Sequence, residues 1–396
     1  MLKNERIVLF ILAALQFTHI MDFMIMMPLS VHLIPQFKIT PQQFSFIVSS
    51  YALSAFVSSL SASFVVDKFD RKKVLLLGYM GFIVGTFACG FAPTYYLLMA
   101  ARIFAGFFGG LIAAQVLSIV GDLIPYERRG RAMGILFTGF SAASVAGVPT
   151  GIYLADHFNW HVPFILVGCL GLIIIPMVII YLPKMTHHLD ANYGDKENIF
   201  KVIYNDSNLQ IGMLMMFTLV LAHFVVIPFL AQYMESNVGF SKAQIAWIYF
   251  VGGASSIVSS PIIGRLSDRF GKFRVFYILI ILSWIPVFLI TNMPRIPIYY
   301  VLIAVGFFFV FAGGRYIPAQ ALITSVIEPK HRGGFMNVNS STQNMATGLA
   351  SLVAGLIVTT LPSGELGNYN YVGYFAIAVS IICMAVASKL KMKTGI

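Results

Sequence analysis

Apolar runs of roughly 20 residues, each long enough to cross a ~30 Å hydrocarbon core, follow one another along the whole chain. They fall at about 7–29, 42–66, 74–92, 95–121, 132–155, 162–182, 208–233, 242–266, 273–292, 297–325, 335–361 and 369–389, and are numbered as helices 1 to 12. Only 10% of the residues are charged and 58% are hydrophobic, whereas about a quarter of a soluble domain is charged. The first run exceeds 20 residues, carries Asp22 and lacks a small-residue cleavage site, so it reads as helix 1 rather than a signal peptide. The expected fold is an all-α membrane protein of twelve transmembrane helices.

A net charge of +11 raises the question of a nucleic-acid partner, and the distribution of charge answers it. With the N-terminus inside, every Lys and Arg falls on an inner segment except Lys38, Lys242 and Arg295 outside and Arg102 and Arg315 within spans. That is the positive-inside pattern, and it puts both termini in the cytoplasm. The basic excess is topological and calls for no nucleic acid. Cys89, Cys169 and Cys383 fall within spans at no paired spacing, and are expected to be small packing residues rather than a disulfide framework or metal site.

The basic turn Asp67-Lys-Phe-Asp-Arg-Lys-Lys-Val74 returns as Asp268-Arg-Phe-Gly-Lys-Phe-Arg-Val275. Pro28 matches Pro228, Thr40 matches Ser241, and Tyr95-Tyr96 matches Tyr299-Tyr300, all at a nearly constant offset. The chain therefore reads as two pseudo-symmetric six-helix bundles, 1–182 and 208–396, joined by a polar cytoplasmic linker, 183–207. The linker holds His187, His188, Asp190 and Asp195 without convincing metal-ligand spacing, and a short surface helix is expected around Asn198–Tyr204.

The second turn, Gly264-Arg-Leu-Ser-Asp-Arg-Phe-Gly-Lys272, resembles the loop signature of the major facilitator superfamily, as do Arg102-Ile-Phe-Ala-Gly106 in helix 4 and Asp122-x-x-Pro125-x-x-x-Arg129-Gly-Arg131 after it. The first turn keeps Asp67 and the basic cluster, but Ser63 and Asp70 replace both glycines. In helix 5, Gly147-Val-Pro149-Thr-Gly151 resembles the antiporter motif of drug:proton antiporters, in its arabinose-efflux-like variant. The resemblance implies a central cavity lined by helices 1, 4, 7 and 10, gating by Asp67, Arg71, Asp268, Arg269 and Lys272, and alternating access. A Gly/Pro-rich helix 5 would supply close backbone contact that seals one face while the halves pivot.

Asp22, Arg102 and Arg315 are the charges well inside spans. Each costs roughly 2.5–3.5 kcal/mol at a helix centre, which marks them as functional candidates. Asp22 lies far along an outward-running helix 1 and Arg102 early in an inward-running helix 4, so the two are expected to be neighbours. His19 shares a face with Asp22, and His223 occupies the corresponding height in the second half. Two readings of Asp22 stand: a fixed partner of Arg102, or a proton switch whose Arg is displaced in one state. His19 and His223 are the further proton-coupling candidates. The rest of the expected lining (Met26, Met216, Ile227, Phe308, Phe311) is oily and adaptable, which suits amphiphilic substrates better than sugars.

No Gly-Lys-Ser/Thr phosphate loop is present, so ATP is not the energy source. The leading expectation is a monomeric secondary transporter in the bacterial cytoplasmic membrane. It would export small amphiphilic compounds against proton entry, with no cofactor and only substrate and membrane lipids as partners. The alternatives are an anionic metabolite (or sugar) bound by Arg102 and Arg315, or lipid translocation. An enzyme is disfavoured because no nucleophile–base or metal-ligand cluster appears.

Overall fold

The computed structural model describes residues 3–65, 69–124, 134–136, 138–139, 141–186, 199–328 and 332–391. Nearly all of them are helical. Helix 1 comprises Lys3–Ile25 and Ser30–Phe37; helices 2, 3 and 4 are Pro41–Val65, Arg71–Gly90 and Tyr95–Leu123. Helix 5 ends in a widened turn, Ala143–Gly147, and Val148–His157; helix 6 is Val162–Tyr181. A linker helix, Ile199–Asn205, precedes helix 7, which is built from Ser207–Phe224, Ile227–Phe229 and Leu230–Ser236. Helices 8 and 9 are Lys242–Phe270 and Lys272–Thr291, and helix 10 runs through Ile298–Phe308, a widened turn Phe309–Gly313 and Tyr316–Val326. Helices 11 and 12 are Arg332–Ile357 and Tyr369–Ala387, with a small hairpin of Thr359–Thr360 and Leu366–Gly367 between them.

Side chains set the helix starts. Asp70, Thr94 and Asp206 accept from the backbone N–H groups of Lys72, Leu97 and Asn208, and Ser241 with Gln244 forms a reciprocal capping box on helix 8. Prolines set the interruptions. Pro28 and Pro228 stand at equivalent breaks in helices 1 and 7, where the chain leaves regular α-geometry. Pro149 follows the widened turn of helix 5, which relieves the clash between a proline ring and the carbonyl four residues back.

Ten helices among the described residues are long and apolar enough to span a membrane. Helices 5 and 11 are the two expected spans outside that group. Helix 5 includes residues outside the described set, and helix 11 carries Asn337, Asn339, Gln343 and Asn344. Its polarity follows from its position, packed along helix 2 of the other half rather than against lipid. Ser59 and Ser341 share a hydrogen bond of 2.8 Å across that seam. Farther along, Gly348 and Gly355 let helix 11 close onto Leu53 and Ser45.

Residues 69–73 and 270–274, the linker helix and Lys391 lie at one end of the bundle, the linker face; residues 38–40, 91–94, 237–241 and 292–297 mark the opposite face. At the opposite face one continuous apolar core joins the two halves, including Ile25, Leu29, Phe44, Phe229, Tyr249 and Tyr369. At the linker face each half keeps its own core, one around Leu12, Tyr79 and Ile119, the other around Met216, Phe276 and Phe335. The apolar core is thus shared by the two halves at the opposite face and separate in each half at the linker face.

Candidate functional site

Each half builds a buried polar nest where its first, third and fourth helices meet. In the first half, Arg102 Nη1 donates to Asp22 Oδ2 at 2.6 Å and, at 3.4 Å, to the Asp22 carbonyl. Thr86 Oγ1 of helix 3 donates to Asp22 Oδ1 at 3.1 Å, so both carboxylate oxygens are occupied. Both members of the ion pair have no solvent exposure. The Arg102 guanidinium also lies 4.1 Å from the Tyr51 ring centroid, a cation–π contact that adds a fourth helix to the nest. Small residues make this approach possible: a side chain at Gly106 or Gly110 would run into the backbone at Tyr51 or Ala55, so helix 4 can lie directly on helix 2.

Asp22 and Arg102 thus touch, as their depths along helices 1 and 4 predict. His19 sits one turn away, its ring against Tyr51 and Phe82, with neither ring nitrogen hydrogen-bonded. Gly109 leaves the space these polar atoms use, since a Cβ there would stand 2.6 Å from the Tyr51 hydroxyl and 2.9 Å from His19 Nε2.

The second nest differs in one respect that matters. Arg315, only 2% exposed, donates to Ser283 Oγ of helix 9 at 3.2 Å, and its Nε is buried with no partner. No carboxylate among the described residues pairs with it. The Pro28–Pro228 offset sets Asp22 opposite Ala222, and the polar residue at this level of helix 7 is the next one, His223. Its ring stacks on Phe308 at 5.4 Å and approaches Tyr316 edge-on at 6.5 Å, and its Nδ1 has no partner. Tyr316 in turn bonds Gln343 of helix 11 at 3.4 Å. The first half therefore encloses a compensated pair, and the second an uncompensated cation. Thr86, Tyr51, Ser283 and Tyr316 were absent from the sequence-derived site; a hydroxyl inside an apolar run was their only trace.

The oily candidates are placed as follows. Met26, Ile227 and Phe308 belong to the core that closes the opposite face, and Met216 to the linker-face core of the second half. Phe311 packs with Ile263, Val275 and Leu279 of helices 8 and 9, outside the His223–Arg315 nest. Gly147 and Gly151 lie against Met21 and Ile25 of helix 1, within their own half. The close cross-half contact near this level comes instead from Gly253 of helix 8, which faces the backbone of Ser144. Among the cysteines, Cys89 and Cys383 are buried but Cys169 is exposed.

The basic turns also look different in detail. Asp67 lies outside the described residues, as do His187 and His188. Asp70, which stands where the signature has glycine, caps helix 3 and accepts from the Met185 N–H at 3.1 Å. Lys72 donates to the carbonyls of Ile179 and Leu182, closing the end of helix 6, while Arg71 is buried beside them. In the second copy, Gly271 adopts φ +94°, a value that favours glycine, and Lys272 starts helix 9. Asp268 is exposed, and Arg269 lies over the Phe270 ring at 5.3 Å.

At the opposite face the halves also meet through polar groups. Lys242 Nζ lies 3.4 Å from His32 Nδ1, with Asp156 and Glu235 within electrostatic reach. Burial, and then the Lys242 charge, depress the His32 imidazole from 6.5 to about 4, with Asp156 opposing. A depressed base favours the closed arrangement while neutral. Closure should therefore be fully supported above pH 6.5 and weaken as the pH at that face falls from 6.5 toward 4. Distances between spin labels on the two halves at this face should lengthen over that window, and His32→Gln should flatten the response.

Two pseudo-symmetric helical halves that share one apolar core at the opposite face, with charges buried between their membrane-spanning helices, have the architecture of a membrane carrier. Residues 12–220 and 212–394 each match the family model of the Major Facilitator Superfamily, and the chain belongs to that superfamily. It is a multi-span secondary-active transporter that moves small molecules by alternating access, not an enzyme. The chain is 25% identical over 337 residues to the uncharacterized MFS-type transporter YceJ of Bacillus subtilis, covering 85% of each. It is 22% identical over 385 residues to Multidrug resistance protein 3 of the same organism, covering 82% of this chain and 74% of that one. Among solved structures, a bacterial homolog of the human lysosomal transporter Spinster, inward-facing and unoccupied, superposes with a TM-score of 0.76 at 14% identity over 100% of both chains. That last likeness bears on the fold alone.

Proposed function

We propose that this chain carries small amphiphilic molecules bearing an anionic group, and that Arg315 reads the anion. The observation behind this reading is the uncompensated guanidinium: Arg315 is buried in a membrane-spanning half with Ser283 as its one hydrogen-bond partner among the described side chains. A carboxylate or phosphate supplies the charge that Asp22 supplies to Arg102. His223, Phe308 and Tyr316 beside it offer aromatic surface to the rest of the molecule. The halves 1–182 and 208–396 rock about the linker 183–207. In this reading the linker face and both termini face the cytoplasm of a bacterial cell, and the apolar core shared by the halves at the opposite face supports an inward-facing arrangement. A thermal-shift series of matched amphiphiles tests this: anionic members should stabilise the purified protein, and neutral or cationic analogues should not. Equal stabilisation by all three would count against it.

Proton-coupled drug efflux is the second reading. It draws on His19 and His223, whose ring nitrogens lack partners, on the helix 5 motif, and on the likeness to Multidrug resistance protein 3. Each Asp22 oxygen already accepts a hydrogen bond, so a proton taken up in this conformation would weaken the pair with Arg102. Flux in proteoliposomes under an imposed pH gradient separates the readings, since gradient-independent transport, together with wild-type flux in Asp22→Asn, would remove proton antiport.

A further inference from the structure

An apolar groove of about 560 Å³ runs along the linker-face half of helices 8, 9 and 10, outside the two nests. Ile262, Leu266 and Phe270 of helix 8, Ile278 and Leu279 of helix 9, and Phe311 of helix 10 form its walls. Two polar residues line it. Ser259, at the inner end, already donates to the Ser256 carbonyl, and Arg274 stands at the linker-face mouth. The widened turn of helix 10 brings the adjacent residues Val310 and Phe311 into the same lining.

Three features of the groove point to one occupant. Ile262, Leu266, Phe270 and Ile278 are exposed, so the groove opens onto the membrane rather than toward the other half. From Ser259 to Phe270 along helix 8 it runs for about 16 Å at 1.5 Å per residue, close to half of a ~30 Å hydrocarbon core. It is thus one leaflet deep. Its mouth is cationic: besides Arg274, Arg265, Arg269 and Lys272 lie within two turns, Asp268 is the single acid among them, and the Arg269 guanidinium rests on Phe270 of the groove wall. An apolar slot of leaflet depth under a cluster of guanidinium groups complements a hydrocarbon chain joined to a phosphate.

We propose that this groove holds an acyl chain of an anionic phospholipid from the linker-face leaflet, with its phosphate engaged by Arg274 and its neighbours. The complete second basic turn then has a lipid-binding role, built on the helix whose Gly253 also makes the cross-half contact.

Native mass spectrometry of the full chain, extracted from vesicles of equal dioleoyl-phosphatidylglycerol and dioleoyl-phosphatidylcholine, tests this. Wild type should retain phosphatidylglycerol with a preference of about tenfold, because both lipids offer a phosphate but the choline cation of phosphatidylcholine is repelled by the basic cluster. Arg274→Gln, at an exposed position, should reduce that preference toward parity, and Ile278→Trp, which fills the groove, should lower retention of both lipids. A thermal melt confirms that each variant is folded. Equal retention of the two lipids by wild type would overturn the proposal in favour of unselective annular lipid. Unchanged retention in Ile278→Trp would place the lipid elsewhere, and would overturn it too.

Discussion

Replacing Asp22 by alanine should destabilise the protein by about 3–5 kcal/mol, because it leaves the Arg102 guanidinium charged and unpaired in a dry interior. The pair has no solvent exposure, and no other carboxylate among the described residues stands within hydrogen-bonding distance of Arg102. Thr86 would lose its acceptor as well, and only the residue-22 carbonyl and the Tyr51 ring would face the cation. Asp22→Asn should cost less, since an amide oxygen still accepts from Arg102. The double variant Asp22→Leu/Arg102→Met should recover most of the loss, because removing both charges removes the desolvation cost along with the attraction. Thermal or denaturant unfolding of the purified protein in one detergent measures all three. An Asp22→Ala protein as stable as wild type would mean that the nest is wet and that the ion pair contributes little.

Arg315 should show the reverse pattern. No carboxylate among the described residues depends on it, so Arg315→Gln is expected to leave stability near wild type or raise it by relieving an uncompensated charge. Its cost should fall on ligand binding instead. Truncating one member of a buried charge pair costs about 2–5 kcal/mol, so affinity for an anionic substrate should drop by about 30-fold or more. Arg315→Lys should keep part of it, because an ammonium supplies the charge but not the two-pronged geometry of a guanidinium. Titrating the best anionic stabiliser against the three proteins reads this directly.

The two buried arginines show what a sequence can and cannot reveal about such a site. Asp22 and Arg102 could be paired from the sequence, because span direction and distance along each helix fix their heights. The membrane permits few ways to bury a charge. Arg315 was visible as a charge in an apolar run, but its solitude was not, since that depends on which faces of helices 7, 9 and 12 surround it. The fold was legible for the same reason: apolar length, positive-inside bias and the duplicated turn are all one-dimensional. Side-chain direction is not. Helix 5 packs across the halves on helix 8, but its Gly147 and Gly151 face Met21 and Ile25 of helix 1, because helical rotation decides which neighbour a small residue meets. Phe311 went to the membrane-facing groove because the widened turn at Phe309–Gly313 shifts the helical phase, and no spacing rule anticipates such a turn. Asp70, read as a lost glycine, proved to be a cap.

Flux of a carboxylate and its uncharged amide, measured side by side in proteoliposomes carrying wild type or Arg315→Gln, tests the anion-carrier account most directly. Wild type should move the carboxylate and discriminate against the amide, and Arg315→Gln should lose the carboxylate flux while remaining folded. Wild-type rates for the carboxylate in Arg315→Gln would contradict the assignment of the second nest as the anion site.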